Sequence, residues 1–294
     1  MNGVLVIDKP KGWTSHDVVN KARRILQEKS IGHTGTLDPL ATGVLVLCIG
    51  KATRLVRYLE SDDKEYTAEM RLGSLTDTQD SSGVVVESRA YLPPTEEQVR
   101  SVLKGLLGET FQRPPAYSAL KVNGIPSYKL ARQGAVREHP ERTITIHAID
   151  LIEYCDPVIR FSVHCSKGTY VRTLCVEIGE QLRAGGHLTA LRRDRAGRFS
   201  LENALTMEML ADRAASEQLQ SALLPLSAVL QGYPAVTVSG LDAERIGHGN
   251  AISIPPAAAL SPEAGPVRIL DHSGQMLAVA RLRDGALRPE VVLC

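Results

Sequence analysis

The chain has 294 residues, about two domains at roughly 150 residues each, enough to bury a sizeable core without disulfide or metal staples. Hydrophobic residues make up 43% and charged residues 23%, which excludes intrinsic disorder. Lys and Arg number 34 against 33 Asp and Glu, so the net charge of +1, read as one global sum, argues against an obvious nucleic-acid binder.

In chain order, Gly3-Val4-Leu5-Val6-Ile7-Asp8 reads as a strand and lacks the basic leader and small-residue cleavage site of a signal peptide. Thr14 with Asp17 forms a capping box ahead of Val18, Val19, Ala22, Ile25 and Leu26, which predicts a helix over 15–29. Residues 30–42 have no period and are dense in Gly, Thr and Pro, so they read as a loop before a buried strand at 44–49. That strand is the longest apolar run and falls far short of the roughly 20 residues of a membrane span. A soluble protein is expected.

Ala52, Leu55, Val56 and Leu59 predict a short helix. Tyr66, Ala68, Met70 and Leu72 then alternate with Thr67, Glu69 and Arg71 as in a half-buried strand, with Tyr66 on the apolar face. Thr95 with Gln98 caps a helix carrying Val99, Val102, Leu103, Leu106 and Leu107. The β-rich runs 143–154 and 157–165 form a hairpin turning at Asp156 and Pro157, and Val171, Leu174, Cys175, Ile178 and Leu182 repeat at helical spacing from 169 until Gly185. Strands and helices mixed irregularly around a hairpin predict an α+β fold. From Gly232-Tyr233-Pro234 onward the helical patterns give way to short strands punctuated by Gly and Pro, which places a small β-rich domain at 233–294 after a larger one at 1–232.

Five cysteines, at 48, 155, 165, 175 and 294, form no CxxC pair, which disfavours a disulfide framework or structural zinc and fits a reducing compartment. No GxxxxGK[ST], HExxH or GxSxG motif occurs, and Asp77-Thr-Gln-Asp80-Ser-Ser-Gly83 lacks the ligands of an EF-hand loop. Charge read locally changes the picture. Arg113, Lys121, Lys129, Arg132 and Arg137 carry no acidic neighbour within 112–137 and are interleaved with Tyr117 and Tyr128, a composition suited to RNA. A second cluster, Arg183, Arg192, Arg193, Arg195 and Arg198, has Asp194 alone against it; taken singly, either cluster reads as a solvated basic face. In the 30–42 loop, Asp38 before Pro39 reads by itself as a turn former, and His33 as a surface or packed histidine.

The stretch Gly32-His-Thr-Gly-Thr-Leu-Asp38-Pro-Leu-Ala-Thr-Gly43-Val-Leu resembles the active-site loop of the bacterial tRNA pseudouridine-55 synthases, the TruB family. Further segments stand in that family's order: the first strand through Lys9-Pro10 with Thr14-Ser15, then Lys64-Glu-Tyr66, Arg113-Pro-Pro-Ala-Tyr117-Ser-Ala-Leu-Lys121, Ser166-Lys-Gly-Thr-Tyr170-Val-Arg172-Thr-Leu and His187-Leu-Thr-Ala-Leu191-Arg-Arg. The resemblance covers residues 3 to about 200; more weakly, the tail resembles a PUA-type RNA-binding domain through Gly247-His-Gly-Asn and residues 267–280.

The resemblance implies a pseudouridine-synthase fold with a mixed, mainly antiparallel sheet flanked by helices, a catalytic domain at 1–232 with a basic RNA-contacting insertion at about 112–142, and a PUA-like domain at 233–294. It implies isomerisation of the uridine at position 55 in the tRNA T-loop on a flipped-out base. Asp38 is the implied nucleophile and Arg172 its guanidinium partner, lowering the carboxylate pKa and orienting it. Tyr66 is implied to stack on the base and to be placed for proton transfer, as a general base in one scheme. Tyr170 and Leu191 are implied to line the base pocket and His33 to contact RNA near the vacated space. Asp38 is left three routes: addition to C6 of uracil, attack at C1′, or assistance to a glycal-type elimination with Tyr66 as base. Isomerisation has no net redox change or hydrolysis, so no cofactor or metal is expected. The partner is the tRNA T-arm, met by a cytoplasmic monomer without accessory proteins or membrane. The rival readings are a non-catalytic RNA-binding protein on a synthase-like scaffold and a guide-RNA-dependent relative acting on ribosomal RNA.

Overall fold

The structure is a computed structural model and describes residues 1–60, 62–135, 139–254, 260 and 265–294; Arg137 of the first basic cluster lies outside them. The chain runs β1 (Gly3–Lys9), α1 (Ser15–Leu26), β2 (Ile31–His33), β3 (Thr42–Ile49), α2 (Val56–Leu59), β4 (Lys64–Leu72), β5 (Ser74–Thr76), β6 (Val85–Ser88), α3 (Glu96–Gly105) and β7 (Gly108–Gln112). It continues through β8 (Lys121–Val122), β9 (Ile125–Pro126), α4 (Ser127–Arg132), β10 (Arg142–Cys155), β11 (Val158–Cys165), α5 (Val171–Gln181), β12 (Gly186–Ala196), β13 (Phe199–Ser200), α6 (Met207–Ala215) and α7 (Leu226–Val229). The C-terminal part holds β14 (Ala235–Thr237), α8 (Gly240–Gly247), β15 (Ile252–Ser253), β16 (Pro266–Leu270), β17 (Met276–Arg283) and β18 (Ala286–Val292).

Among the described residues, nine strands form the main sheet in the order β1-β3-β12-β4-β11-β10-β7, with β2 added to β3 and β13 to β12. Its pairs are antiparallel except β12 with β3, where Arg192 and Arg193 lie opposite Thr42 and Gly43. The α+β class and the mainly antiparallel mixed sheet are as expected. Val18, Val19 and Ala22 of α1, Val99 and Leu103 of α3, and Leu174, Cys175 and Ile178 of α5 close over one face, against Leu5, Ile7, Leu45, Leu47, Met70, Phe161 and Val163. The alternate residues of β1 and β3 face a second core: Val4, Val6, Val44, Val46 and Cys48 pack with Leu55, Tyr58 and Leu59, with Val229 and Leu230, and with Met276 and Val279 of the C-terminal part. A strand buried on both faces has no polar side to show, so β1 and β3 read as continuous apolar runs. In β4 and β11 the second face carries Glu65, Thr67, Glu69, Arg71, Arg160, Ser162 and His164, half-exposed or exposed, and these strands alternate.

The C-terminal domain is a five-stranded mixed sheet in the order β14-β16-β17-β18-β15, with its own core of Val236, Val238, Ile246, Val267, Ile269, Ala278, Ala280 and Leu287. The expectation of short strands alone missed α8, which buries only Ile246 and so shows no helical period. Other boundaries differ. The capping box of Thr14 and Asp17 forms, but α1 ends at Leu26 rather than at 29 because Gln27 takes the left-handed conformation at φ 50°. The 30–42 loop contains β2, too short at three residues to show a period, in which Ile31 is buried against β3. Helix α5 starts at Val171 instead of 169, because the Thr169 hydroxyl donates to the Ser166 carbonyl at 2.9 Å and closes a turn first. No helix among the described residues is long and apolar enough to cross a membrane.

Candidate active site

The segment between β2 and β3 has no ladder of its own, so its backbone is satisfied from outside. Ser15, buried at the start of α1, accepts from the Leu37 amide at 2.8 Å and donates to the Leu37 carbonyl at 3.2 Å. The Gly12 amide donates to the Pro39 carbonyl at 2.8 Å, and Leu37, Leu40 and Ala41 sink into the main core. Asp38 is thus a polar residue on a loop nailed down by apolar neighbours on both sides. Gly43, at φ +100°, closes the segment: a Cβ there would lie 2.2 Å from the Arg193 carbonyl, so only glycine lets β3 approach β12.

Asp38 opens onto a cavity of about 500 Å³, within the usual range for a small-ligand site. Tyr66, Tyr170, Arg172, Leu191 and Arg193 line it, together with Ser118, Ala119 and Leu120 from the segment after β7. Arg172, in the first turn of α5, is 4% exposed. Its Nη1 donates to the Thr78 carbonyl at 2.9 Å and its Nη2 to the Tyr117 carbonyl at 2.8 Å, which aims the guanidinium edge at Asp38. Nη2 reaches Asp38 Oδ1 at 3.4 Å, while Nε lies 2.9 Å from Oδ2 but off its N–H direction, so that contact is ionic rather than a hydrogen bond. Tyr170 is held by Gln112, which accepts from its amide at 2.7 Å and donates to its carbonyl at 3.2 Å, and the Arg142 guanidinium sits 4.9 Å from its ring centroid.

Arg172 pulls the Asp38 pKa down, as expected of it, but burial outweighs that pull. Burial pushes Asp38 above its ordinary range and Asp80 adds to that, while Arg172 and Lys9 pull it back. The two cations therefore serve to keep a half-buried carboxylate ionised. Lys9, fully buried, donates to the Pro10 and Trp13 carbonyls at 3.0 and 2.6 Å. Burial lowers its pKa to about 8 against the pull of Asp38. Burial also raises the Tyr66 phenol, against the neighbouring Arg193. A phenol raised in this way stays protonated at neutral pH, which suits stacking and hydrogen-bond donation better than the general-base scheme.

Asp38, Tyr66, Tyr170, Arg172 and Leu191 all meet in the cavity. His33 does not line it: at the end of β2, its Nδ1 accepts from the Gly35 amide at 3.3 Å, and burial with Arg193 beside it lowers its pKa. The second basic cluster is mostly tied up in pairs within the fold, though only Arg193 of the five is buried. Arg192 pairs with Asp8 at 2.8 Å and Arg195 with Glu65 at 3.3 Å, while Arg193, 3% exposed, donates to the Val44 and Gly35 carbonyls. Arg198 is anchored to Ala228 and Gln231, and Arg183, Arg195 and Arg198 are exposed. Of the first cluster, Lys121 and Lys129 lie on β8 and α4, and Arg132 stacks over Tyr128 at 5.6 Å. Lys9, Asp80, Gln112 and Arg193 were not singled out as site residues by the sequence. Asp80 and Thr78, from the segment rejected as a calcium loop, instead support Arg172, with Asp80 Oδ2 at 3.9 Å from Nη1.

A family model described as TruB family pseudouridylate synthase (N terminal domain) matches residues 23–171. The chain belongs to the TruB family. Models of the tRNA pseudouridylate synthase B C-terminal domain and of Pseudouridine synthase II TruB, C-terminal, match residues 172–231 and 234–293. Among TruB relatives, the tRNA pseudouridine synthase B of Burkholderia mallei (strain NCTC 10247) is 44% identical over 292 residues, covering 99% of this chain and 96% of that one. The protein of the same name from Syntrophotalea carbinolica is 44% identical over 285 residues, covering 95% and 92%. Among solved structures, a chain of an H/ACA RNP bound to a substrate RNA containing 2'-deoxyuridine superposes with a TM-score of 0.76 at 27% identity, covering 99% of this chain and 85% of that one. A chain of a Cbf5-Nop10-Gar1 complex gives 0.77 at 28% identity with the same coverage.

Proposed function

We propose that this TruB-family chain is a tRNA pseudouridine synthase that isomerises the uridine at position 55 of the T-loop, with Asp38 as nucleophile. The observation that carries this is a carboxylate held by a buried arginine, 2.9 Å away, at the wall of a cavity of about 500 Å³ that two tyrosines and a leucine also line. The uridine is flipped out of its stack into that cavity, Tyr66 stacks on it, and Tyr170 and Leu191 complete the walls. The N1–C1′ bond breaks, the uracil turns within the cavity, a C5–C1′ bond forms, and the proton displaced from C5 is replaced at N1. Atoms and oxidation state are conserved, so the chemistry calls for no cofactor or metal. Asp38 supplies negative charge either as a covalent partner or beside the cationic sugar carbon. Arg172 orients it and keeps it ionised, and Lys9 adds to the second effect. His33 contacts RNA outside the cavity.

The T-arm lies across residues 112–142, where Lys121, Lys129 and Arg132 offer phosphate contacts and Ser118 to Leu120 already reach the cavity. In this reading residues 1–232 form the catalytic domain and 233–294 a PUA-like RNA-binding domain, and the enzyme acts as a cytoplasmic monomer without accessory proteins. The test is to incubate the purified chain with an unmodified tRNA transcript and map the product. Pseudouridine at position 55 with no other RNA present is the expected outcome. Product only after adding a guide RNA would favour the guide-dependent mode, and tRNA binding without product a non-catalytic role.

A further inference from the structure

On the solvent face of the main sheet, away from the cavity, three strands converge on a cluster that isomerisation does not use. Asp63 immediately precedes β4, His147 lies in β10 and His164 in β11. The register explains why they meet. Ile146 pairs with Cys165 and Ala148 with His164, so His147 is the extra residue of a β-bulge, a device that re-aims a side chain out of the regular alternation. Here it turns the His147 ring onto His164, with centroids 4.8 Å apart, and brings Nε2 to 3.1 Å from Asp63 Oδ2. One ligand atom from each of the three residues lies within 4.8 Å of the others.

We infer that Asp63, His147 and His164 form a binding site for a divalent transition metal, with Zn²⁺ as the best-matched ion. Two imidazoles and one carboxylate suit Zn²⁺ and its borderline neighbours, whereas Mg²⁺ and Ca²⁺ take all-oxygen shells. A tetrahedral zinc with bonds of about 2.0–2.1 Å holds its ligand atoms about 3.3 Å apart. The His147–Asp63 separation already matches that spacing. The remaining closure falls to side chains free to turn, since Asp63 and His147 are 47% and 37% exposed. The backbone beneath them is fixed: His164 is paired to Glu65 in β4, and the Asp63 carbonyl accepts from the Gly197 amide at 2.8 Å. Glu65, the other carboxylate near His164, is held by Arg195 at 3.3 Å, which leaves Asp63 as the oxygen ligand. Water fills the fourth position. The ion ties the start of β4, which carries Tyr66, to β11, which runs into the Ser166–Tyr170 wall of the cavity. The three ligands are far apart in sequence and form no spaced motif, so nothing in the chain read linearly marks them.

The test is independent of the isomerase reading. The full chain, stripped with EDTA and dialysed, is titrated with ZnCl₂ by calorimetry, and its melting temperature is followed with and without zinc. One equivalent should bind with a micromolar or tighter Kd and raise the melting temperature. His147→Gln with His164→Gln should weaken binding at least about tenfold and remove the zinc-dependent rise, and Asp63→Asn should weaken binding by a smaller factor. The single variant His164→Gln, which leaves the bulge and the His147–Asp63 contact in place, should show the same loss as a check independent of any folding defect. No saturable binding by the wild type, or an unchanged Kd in the double variant, would overturn the site.

Discussion

The molecule holds two networks of three cations around carboxylate charge, in opposite settings. At the cavity, Lys9 and Arg172 act on Asp38 and Arg193 acts on Lys9, and the three cations are 0%, 4% and 3% exposed. In the C-terminal part, Glu290 is surrounded by Arg57, Arg281 and Arg283, with side chains 56%, 41% and 60% exposed. Each network gathers three cations around carboxylate charge, Asp38 with Asp80 in the first and Glu290 in the second, yet only the first has to satisfy its cations without water. It does so with backbone carbonyls: Pro10 and Trp13 for Lys9, Thr78 and Tyr117 for Arg172, Val44 and Gly35 for Arg193. The surface network lets solvent do the same work. The difference teaches that the charge at the cavity is costly and fixed, as a preorganised reaction centre requires, whereas the surface charge is inexpensive and replaceable.

The largest effect should come from Asp38→Asn, which removes the charge and little volume. Turnover on unmodified tRNA should fall by about 10⁴-fold or more, while tRNA affinity stays within a few-fold of wild type. Residual wild-type turnover, measured as pseudouridine per tRNA, would remove Asp38 from the nucleophile role. Arg172→Lys should follow, at about 10²- to 10³-fold, because one ammonium cannot meet Asp38 and the Thr78 and Tyr117 carbonyls together. A near-normal rate there would mean that the buried geometry is not what orients Asp38.

How much of this was legible differs by residue, and the reason is physical. Asp38, Tyr66, Tyr170, Arg172 and Leu191 sit in segments whose order of residue types is distinctive, and all five line the cavity. Arg193 sits in an Arg-Arg pair that reads as solvated surface, and nothing local says that its neighbour Arg192 faces Asp8 while Arg193 itself is sealed against Val44. That fact belongs to the parallel pairing of β12 with β3, a contact about 150 residues long in sequence. Lys9 is similar: a lysine at the end of an apolar strand looks like its polar cap, yet in the fold it is fully buried with its ammonium on the Pro10 and Trp13 carbonyls. The global charge of +1 hides the exposed cations on α4, because 33 acidic residues, none of them within 112–137, cancel nearly all of the 34 basic ones in the sum. The periods of α1, α3, α5, β4 and β11 show in the sequence because one face of each is polar, whereas α8 buries one residue and shows none, and β12 and α6 are elements the sequence did not predict.

Two pH experiments sharpen the contrast at intermediate size. Because burial raises Asp38, its proton is lost only above the ordinary carboxylate range. Turnover should therefore fall, as pH drops, along an acid limb displaced upward from that range; a limb at or below ordinary carboxylate values would show that Arg172 outweighs burial. Lys9 works through stability. Its folded pKa of about 8 lies below the ordinary 10.5, so the unfolded chain holds the extra proton between those values. Unfolding free energy should rise with pH across that window by up to about 3 kcal/mol, and the cost of charging Lys9 is complete below pH 8. In Lys9→Met that rise should flatten, as measured by denaturant titrations at the two ends of the window.

The smallest effect is expected at Glu290, where the surface side of the comparison can be broken. Burial works against its ionisation, yet hydrogen bonds from Arg281 and Tyr58 hold its carboxyl below the usual range. Its Oε1 accepts from Arg281 at 3.1 Å and Arg283 at 3.2 Å, and its Oε2 from the Tyr58 hydroxyl at 3.2 Å and Arg57 at 3.5 Å, linking the C-terminal sheet to α2. Glu290→Gln keeps the shape and an acceptor oxygen, and the three arginines it leaves are open to water. Exposed pairs of this kind contribute about 0–1 kcal/mol each, and the loss should stay near 1 kcal/mol in denaturant unfolding and shrink further in high salt. Because the carboxyl pKa is depressed, that contribution is present above the ordinary Glu range and disappears as pH falls through the lowered value. A loss as large as about 3 kcal/mol, insensitive to salt, would show that the interface between the two sheets shields Glu290 as thoroughly as the cavity wall shields Arg172, and the division between fixed and replaceable charge would have to be redrawn there.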